Sequence, residues 1–170
     1  MQILPIEPGH VDALSALAAR TFSDTFAHLY PPEDLRVFLE ASYAPGVLAP
    51  QIADPDQFWR MAWSGNQAVA YLHACPVGLP HPDADAARQG EIKRLYVDTS
   101  QHGQGIGKQL LALGLDYLAH RYGGAPQWIG VWSENLKAQA LYQAHGFERV
   151  GEYGFEVGGT TDHEFIFRKG

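Results

Sequence analysis

The chain has 170 residues and a formal net charge of −7, from 12 basic and 19 acidic side chains. Hydrophobic residues make up 46% of the sequence, which excludes an intrinsically disordered chain, and 18 glycines with 11 prolines exclude a long coiled coil. The acidic balance argues against non-specific binding to nucleic acid, which needs clustered lysine and arginine. The length is typical of one domain, so residues 1–170 are predicted to form a single unit.

Cysteine content and the N-terminal residues bear on the cellular compartment. Cys75 is the only cysteine, so no disulfide can form within the chain. The first residues, MQILPIE, lack the basic region and long apolar run of a signal peptide. The most apolar stretch, residues 68–79, is shorter than the roughly 20 residues that span a bilayer. A cytoplasmic protein that binds neither membrane nor nucleic acid is therefore expected.

Hydrophobic periodicity predicts strands and helices that alternate along the chain. The predicted strands cover residues 3–6, 57–63, 67–74, 91–97, 128–132, 147–157 and 161–168. A first helix opens at residues 8–10 and runs towards His28, a second starts at residues 31–32, and two more cover residues 103–122 and 134–145. Residues 43–50 read as turn-rich and residues 76–90 as an exposed loop. This order predicts one mixed α/β domain.

A glycine-rich turn lies between a predicted strand and the longest predicted helix. Its sequence, VDTSQHGQGIGK, places glycines at 103, 105 and 107 and a lysine at 108. Free N–H groups at a helix N-terminus attract anions, and glycines let a phosphate approach the backbone. No serine or threonine follows the lysine, and the glycine spacing is not G-x-G-x-x-G, so neither a Walker A loop nor a dinucleotide fingerprint fits. The loop alone leaves phosphate binding and a purely structural turn equally open.

Two further segments accompany this loop. The strand EIKRLYV, residues 91–97, precedes it, and the segment NLKAQALYQAHGF, residues 135–147, follows it. Together the three resemble the GNAT superfamily of acetyl-CoA-dependent N-acetyltransferases, whose pattern is a strand ending in L-Y-V, a (Q/R)-x-x-G-x-(G/A) loop and an N-x-x-A-x-x-x-Y helix closing on G-F. The segment FSDTF, residues 22–26, and residues 150–169 look similar to the PaiA-type branch, which is associated with polyamine acetylation.

The resemblance implies a GNAT fold, in which a mixed and mostly antiparallel sheet is flanked by helices and two strands splay apart at the cofactor site. It implies acetyl-CoA as co-substrate, held mainly by backbone groups of the L-Y-V strand and of the glycine loop. The implied cofactor-binding residues are Leu95, Tyr96, Val97, His102, Gly103, Gln104, Gly105, Ile106, Gly107, Lys108 and Asn135. The family's glutamine or arginine falls on His102, which leaves open whether this side chain changes cofactor affinity.

Two side chains are candidates for the chemistry. The resemblance implies that Tyr142 protonates the leaving thiolate, and it shares a helix face with Asn135, because seven residues rotate a helix by about 700°. Glu91 is the candidate base, since the family often places a glutamate on this strand. A base is needed because an ammonium with a pKa of about 10.4 is almost fully protonated at pH 7. A core tyrosine and a surface glutamate are the structural alternatives.

The acceptor pocket of this family is built from the N-terminal helices and the late hairpin. Carboxylates beside aromatic rings suit a cationic amine, although a solvated acidic helix face is the alternative. The candidate acceptor residues are Phe22, Asp24, Phe26 and Tyr30, with Glu33, Asp34 and Trp59 in or near the same region. A small amine is the expected acceptor, with polyamines favoured. A protein N-terminus and a non-catalytic acyl-CoA sensor are the rival functions.

The sequence also bears on metal binding and on oligomerisation. The eight histidines show no paired ligand spacing, so no metal site is predicted. Asp162, His163 and Glu164 lie on alternating faces of a predicted strand, which makes them a poor metal clamp. Members of the family often form dimers, so a homodimer is left open, although no interface is marked in the sequence.

Overall fold

The computed structural model describes all residues, 1–170, and contains one seven-stranded sheet and five α-helices. The strands are β1 (Gln2–Pro5), β2 (Phe58–Ser64), β3 (Gln67–Pro76), β4 (Gly90–Val97), β5 (Gln127–Trp132), β6 (Glu148–Val157) and β7 (Thr160–Lys169). The helices are α1 (Val11–Phe26), α2 (Pro32–Tyr43), α3 (Pro45–Ala53), α4 (Ile106–Tyr122) and α5 (Leu136–Ala144). None of them combines the length and the apolar character that crossing a bilayer requires.

The sheet has the strand order β1-β2-β3-β4-β5-β7-β6. Every neighbouring pair is antiparallel except β4 and β5, which are parallel. The closing hairpin of β6 and β7 therefore inserts its second strand next to β5 and leaves β6 at the edge. This topology confirms the predicted mixed, mostly antiparallel α/β fold.

The two faces of the sheet bury separate apolar clusters. α4 and α5 cover one face, here called the α4 face, where Leu110 and Leu111 pack with Ile92 of β4. α1, α2 and α3 cover the opposite α1 face, where Leu14 and Leu48 belong to the second cluster. Each of these leucines is fully buried. Burial of a leucine side chain contributes about 2 kcal/mol, so the two helical layers hold the sheet between them.

β4 and β5 pair over only three residues and then diverge. Residues 90–92 of β4 lie opposite residues 127–129 of β5, and the pairing does not continue towards Val97 and Trp132. The backbone groups that face the gap on the divergent parts of both strands have no sheet partner there. Since backbone N–H and C=O groups need hydrogen-bond partners, this gap is a natural place for a ligand. The predicted splaying of two strands is confirmed.

The prediction that residues 43–50 form turns is wrong, because this stretch contains the end of α2 and most of α3. Pro45 occupies the first position of α3, where a missing N–H costs no hydrogen bond. Leu48 is completely buried on the α1 face. This tertiary contact stabilises a short helix that its local composition does not favour.

Candidate active site

The turn between β4 and α4 presents backbone N–H groups without partners. α4 follows Gly105, which provides no side-chain cap. After His102, whose N–H donates to the Thr99 carbonyl at 3.3 Å, the next N–H bonded to a carbonyl is that of Gln109, which donates to Gly105 at 3.1 Å. The preceding N–H groups at the start of α4 are therefore free, and the helix dipole adds a partial positive charge there.

Gly103 and Gly105 give this turn its shape. Their φ angles are +81° and +78°, in the left-handed region, which costs other residues about 1–2 kcal/mol. A Cβ atom on either glycine would meet nothing within 4 Å, so both positions face open space. Lys108 is exposed in the first turn of α4. The result is an open cradle of positive polarity that fits an anion such as a pyrophosphate.

Four side chains, those of Arg20, Asp98, Ser100 and His102, hold the cradle in place. The Asp98 carboxylate accepts the Ser100 hydroxyl at 2.8 Å, the Ser100 N–H at 3.0 Å and the Nε–H of Arg20 on α1 at 3.0 Å. These bonds from Ser100 and Arg20 lower the pKa of Asp98. His102 donates from Nε2 to the Val97 carbonyl at 2.9 Å. At the position where the family has glutamine or arginine, His102 therefore ties the turn to the end of β4.

The L-Y-V strand divides its side chains between the two faces of the sheet. Leu95 and Val97 pack against the cluster on the α4 face. Tyr96 lies on the α1 face, with its ring centroid 5.8 Å from that of Tyr71. Residues 95–97 pair with β3 on one side and have no β5 partner on the other. Their backbone edge along the gap is thus available to the amide groups of a ligand.

Tyr142 is buried on the α4 face of the sheet, in the same cluster as Val131 of β5. Its ring centroid lies 6.3 Å from that of Phe147 and 6.5 Å from that of Phe167. Burial raises the pKa of the Tyr142 phenol. The hydroxyl is therefore protonated at neutral pH, as a proton donor must be.

Asn135 precedes α5 and serves as its N-cap. Its side-chain Oδ1 accepts the N–H of Ala138 at 3.1 Å, which stabilises the helix start. The Nδ2 group is the part of the amide that this bond leaves for another partner. A cofactor contact from Asn135 would come from this nitrogen.

Glu91 lies inside the paired part of β4, before the strands diverge. It is opposite Cys75 of β3 and Trp128 of β5, and it is 5% exposed. Its Oε2 accepts the N–H of Gly78 at 2.6 Å. Gly78 belongs to the segment between β3 and β4, which has no helix or strand, as predicted, but is partly buried rather than exposed throughout. Burial raises the pKa of Glu91, and the Gly78 bond opposes this rise.

The candidate acceptor residues do not gather in one pocket. Phe22 and Phe26 are core rings of the α1 face, with centroids 4.8 Å apart. Asp24 is exposed. Only Tyr30 reaches an acidic group, since its hydroxyl donates a hydrogen bond to the Asp162 carboxylate.

The other three candidates, Glu33, Asp34 and Trp59, also make contacts outside an acceptor pocket. Glu33 bonds to Arg36 at 2.7 Å on the exposed side of α2. Asp34 packs against Gly158 in the turn between β6 and β7. Trp59 stacks on a buried histidine of β3, with ring centroids 3.7 Å apart. These side chains support the α1 layer and its contact with the hairpin.

Two buried carboxylates on β7 form a site that the sequence motifs did not reveal. Asp162 is 9% exposed and Glu164 is 8% exposed, and both lie on the same face of the strand. Glu164 is opposite Trp132 of β5 and Tyr153 of β6 in the sheet. Asp162, Glu164, Tyr30 and Tyr153 are here called the carboxylate niche, in which the Tyr30 hydroxyl donates to Asp162. The sequence signal for this site was a pair of acidic residues, Asp162 and Glu164, two positions apart in a predicted strand.

The niche changes the ionisation of its members. Burial and the charge of Asp162 raise the pKa of Glu164 to about 7. Burial and the bond to Asp162 raise the pKa of Tyr30, and burial and the charge of Glu164 raise that of Tyr153. Glu164 therefore exchanges a proton near neutral pH while both phenols stay protonated.

Comparison with known proteins identifies the family. Residues 13–147 match the model of the Acetyltransferase (GNAT) family. The chain belongs to the GNAT family. This GNAT acetyltransferase is 27% identical over 169 residues to an uncharacterised N-acetyltransferase of Lactobacillus delbrueckii subsp. lactis, a match that covers 99% of this chain and 96% of that one. It is 28% identical to the N-alpha-acetyltransferase RimI of Mycobacterium tuberculosis, over 85% of this chain and 82% of RimI.

A solved structure supports the fold. The PaiA N-acetyltransferase of Thermoplasma acidophilum, in complex with coenzyme A, superimposes with a TM-score of 0.76 at 18% identity, covering 99% of this chain and 97% of that one. This similarity confirms the GNAT fold. Family membership confirms the predicted enzyme class, an acetyltransferase that uses acetyl-CoA.

The residues of this GNAT acetyltransferase fit the donor chemically. Free N–H groups and glycines without neighbours at 103 and 105 suit a pyrophosphate, and the unpaired edge of β4 suits the amides of a pantetheine arm. A homodimer and a cytoplasmic location, both expected from the sequence, stay predictions.

Proposed function

We propose that this enzyme transfers the acetyl group of acetyl-CoA to a primary amine, with a small polyamine-like acceptor favoured, by direct attack on the thioester. The carboxylate niche is the observation that carries the proposal. Asp162 and Glu164 are buried beside aromatic rings, and no basic side chain forms an ion pair with either. Buried carboxylates without a counter-ion are unfavourable, so the niche suits an ammonium that brings the missing charge.

The β6–β7 hairpin also has an open face, since the exposed Thr161 and His163 alternate with the buried Asp162 and Glu164 along β7. An open depression there is lined by Glu152, Tyr153, Gly154, Thr161, Asp162 and His163. Tyr153 and Asp162 belong to both the depression and the niche, and Glu164 lies two residues further along β7. An amine with several charges would bind the two carboxylates of the niche more tightly than a monoamine.

The donor side of the gap supplies backbone groups and one phenol. When bound, acetyl-CoA supplies a thioester carbonyl that an amine can attack. We assign residues 103–108 to its pyrophosphate, the edge of β4 at residues 95–97 to its pantetheine arm, and the Asn135 amide to a further contact. Tyr142 donates its proton to the thiolate that leaves, because its phenol stays protonated at neutral pH and can act as a general acid.

A thiol-release assay with acetyl-CoA and a panel of amines tests this function. The panel contains a triamine, a diamine, a monoamine of equal chain length and a peptide with a free N-terminal alanine. We expect the highest kcat/KM with the triamine or the diamine. Asp162→Asn should raise the KM of the triamine about tenfold and that of the monoamine less, because one ion pair is lost. No thiol release above acetyl-CoA hydrolysis with any amine would refute the proposal.

A protein N-terminus is the second candidate acceptor. The 28% identity to the N-alpha-acetyltransferase RimI favours it. An α-amine has a pKa of about 7.7–8.0, so it needs less help to lose a proton than the amine of a polyamine. A clear preference for the peptide within the same panel would establish this alternative and refute the small-amine proposal.

A further inference from the structure

We propose that Glu164, rather than Glu91, accepts the proton of the incoming amine. This inference rests on the proposed function, because it names the base of the same acetyl transfer. It follows from the partners of the two carboxylates, their places along the gap and the groups around them.

Glu164 is a buried carboxylate with no partner in the chain. It forms no ion pair, and no hydrogen-bond donor contributes to its ionisation. Only two side-chain nitrogen or oxygen atoms lack both solvent access and a hydrogen bond, and they are Trp63 Nε1 and the Tyr71 hydroxyl oxygen. The Glu164 oxygens therefore reach solvent-accessible space, where a ligand can donate to them. The Glu91 carboxylate, in contrast, already accepts the N–H of Gly78.

The two glutamates differ in their position relative to the gap. Glu164 is opposite Trp132, the last residue of β5, whereas the pairing of β5 with β4 ends at Ile129. Glu164 is thus beside the divergent part of β5. Glu91 lies within the paired part, where β5 still occupies the neighbouring edge of β4. The charge of Glu164 acts on Tyr96, on the β4 side of the gap, so an amine bound there lies within reach of Glu164.

The surroundings of Glu164 are acidic and phenolic. The titratable and charged groups of this region are Tyr30, Tyr43, Glu91, Arg94, Tyr96, Tyr142, Tyr153 and Asp162. Arg94 acts on Tyr96 and is not among the groups that set the pKa of Glu164. Burial and the Asp162 charge raise that pKa to about 7, a value suited to accepting a proton at neutral pH.

The proton balance of the reaction gives Glu164 one defined task. An ammonium loses two protons in becoming an amide, and the first passes to the Glu164 carboxylate. The freed lone pair then forms the N–C bond with the thioester carbonyl, and the C–S bond breaks. Tyr142 protonates the sulfur, the second amine proton restores the phenol, and Glu164 releases its proton to solvent. The products are the amide, the thiol and one proton.

The pH dependence of kcat/KM for the amine, at saturating acetyl-CoA, tests this assignment. In the wild type, activity should rise about tenfold between pH 6 and pH 8, as a base with a pKa of about 7 ionises. Glu164→Gln should lower kcat about 100-fold at pH 8 and remove this rise. Its dissociation constant for acetyl-CoA should stay within about twofold of wild type, which shows that the variant is folded. Glu156→Gln, an exposed acidic residue of the same hairpin, is the matched control and should behave as the wild type.

Two results would overturn the assignment. One is a Glu164→Gln variant that keeps both its activity and the rise near pH 7. The other is loss of that rise in Glu91→Gln instead, which would make Glu91 the base. Glu164→Asp keeps the charge on a shorter side chain and should retain the rise with a lower kcat. Failure of the proposed function is a separate outcome, since the wild type would then show no amine-dependent thiol release.

Discussion

Replacing Glu164 by glutamine should stabilise the folded chain in neutral and alkaline solution but not in acid. Glutamine keeps the shape of the side chain and removes its ionisation. Burial and the Asp162 charge raise the pKa of Glu164 from 4.5 to about 7 in the folded chain. The folded state therefore binds this proton more tightly than the unfolded state does. The resulting stability is fully present below pH 4.5 and is lost as the pH rises through 7.

The structure sets the size of this effect. A tenfold change in an acid dissociation constant corresponds to about 1.4 kcal/mol, so moving a pKa from 4.5 to about 7 corresponds to about 3 kcal/mol. Glu164 is 8% exposed, so solvent screens little of this cost. The free energy of unfolding of Glu164→Gln, relative to wild type, should therefore be higher at pH 8.5 than at pH 4 by about 3 kcal/mol.

Urea unfolding at both pH values measures this difference. Carboxylates distant from Glu164 also titrate in this range, but their contributions cancel when variant and wild type are compared at the same pH. Glu156→Gln, on the exposed side of the hairpin, should show no such pH-dependent difference. If the Glu164→Gln difference is the same at both pH values, Glu164 is not desolvated in the folded chain and the reasoning about the niche fails.

Three further substitutions test other parts of the site and of the fold. Tyr142→Phe should lower kcat about 100-fold and leave the acetyl-CoA dissociation constant, measured by calorimetry, nearly unchanged; a wild-type kcat would exclude Tyr142 as the acid. Gly105→Val forces a branched side chain into a φ of +78°, so acetyl-CoA binding should weaken at least about tenfold, and an unchanged affinity would contradict the phosphate cradle. Gly114→Val would place a Cβ 2.7 Å from Ile92 Cδ1 and 2.8 Å from Leu72 Cδ2, so urea unfolding should show a loss of about 1–3 kcal/mol, and wild-type stability would contradict the packing of α4 on the sheet.

Local sequence patterns predicted most of the secondary structure because those elements depend on short-range periodicity. The last turn of α4 was predicted at residue 122, where Gly123 with a φ of +65° ends it. Its start was predicted three residues too early, since glycines 103 and 105 adopt left-handed turns before the helix begins. α3 was missed because it depends on the burial of Leu48, a contact with other elements that the local sequence does not contain.

The carboxylate niche could not be predicted from local sequence patterns, because it joins distant parts of the chain. Tyr30 and Asp162, which share a hydrogen bond, are 132 positions apart in the sequence. The strand alternation that argued against a metal clamp at residues 162–164 also places Asp162 and Glu164 on one face. The sequence therefore contained the carboxylate pair but not the burial that makes it reactive. Likewise, the motif that singled out Glu91 did not show that Gly78 already donates to its carboxylate.

Charged groups are distributed unevenly between the donor side and the acceptor side of the gap. The cradle at the start of α4 presents free N–H groups and Lys108, and the one carboxylate beneath it, Asp98, is already bonded to Ser100 and Arg20. The niche presents two carboxylates with no basic partner. In the proposed reaction, an ammonium that enters the niche relieves the repulsion between these carboxylates and delivers the proton that one of them takes. Acceptor binding and deprotonation therefore depend on the same pair of charges, whereas donor binding depends on backbone groups that ionisation of the niche leaves unchanged.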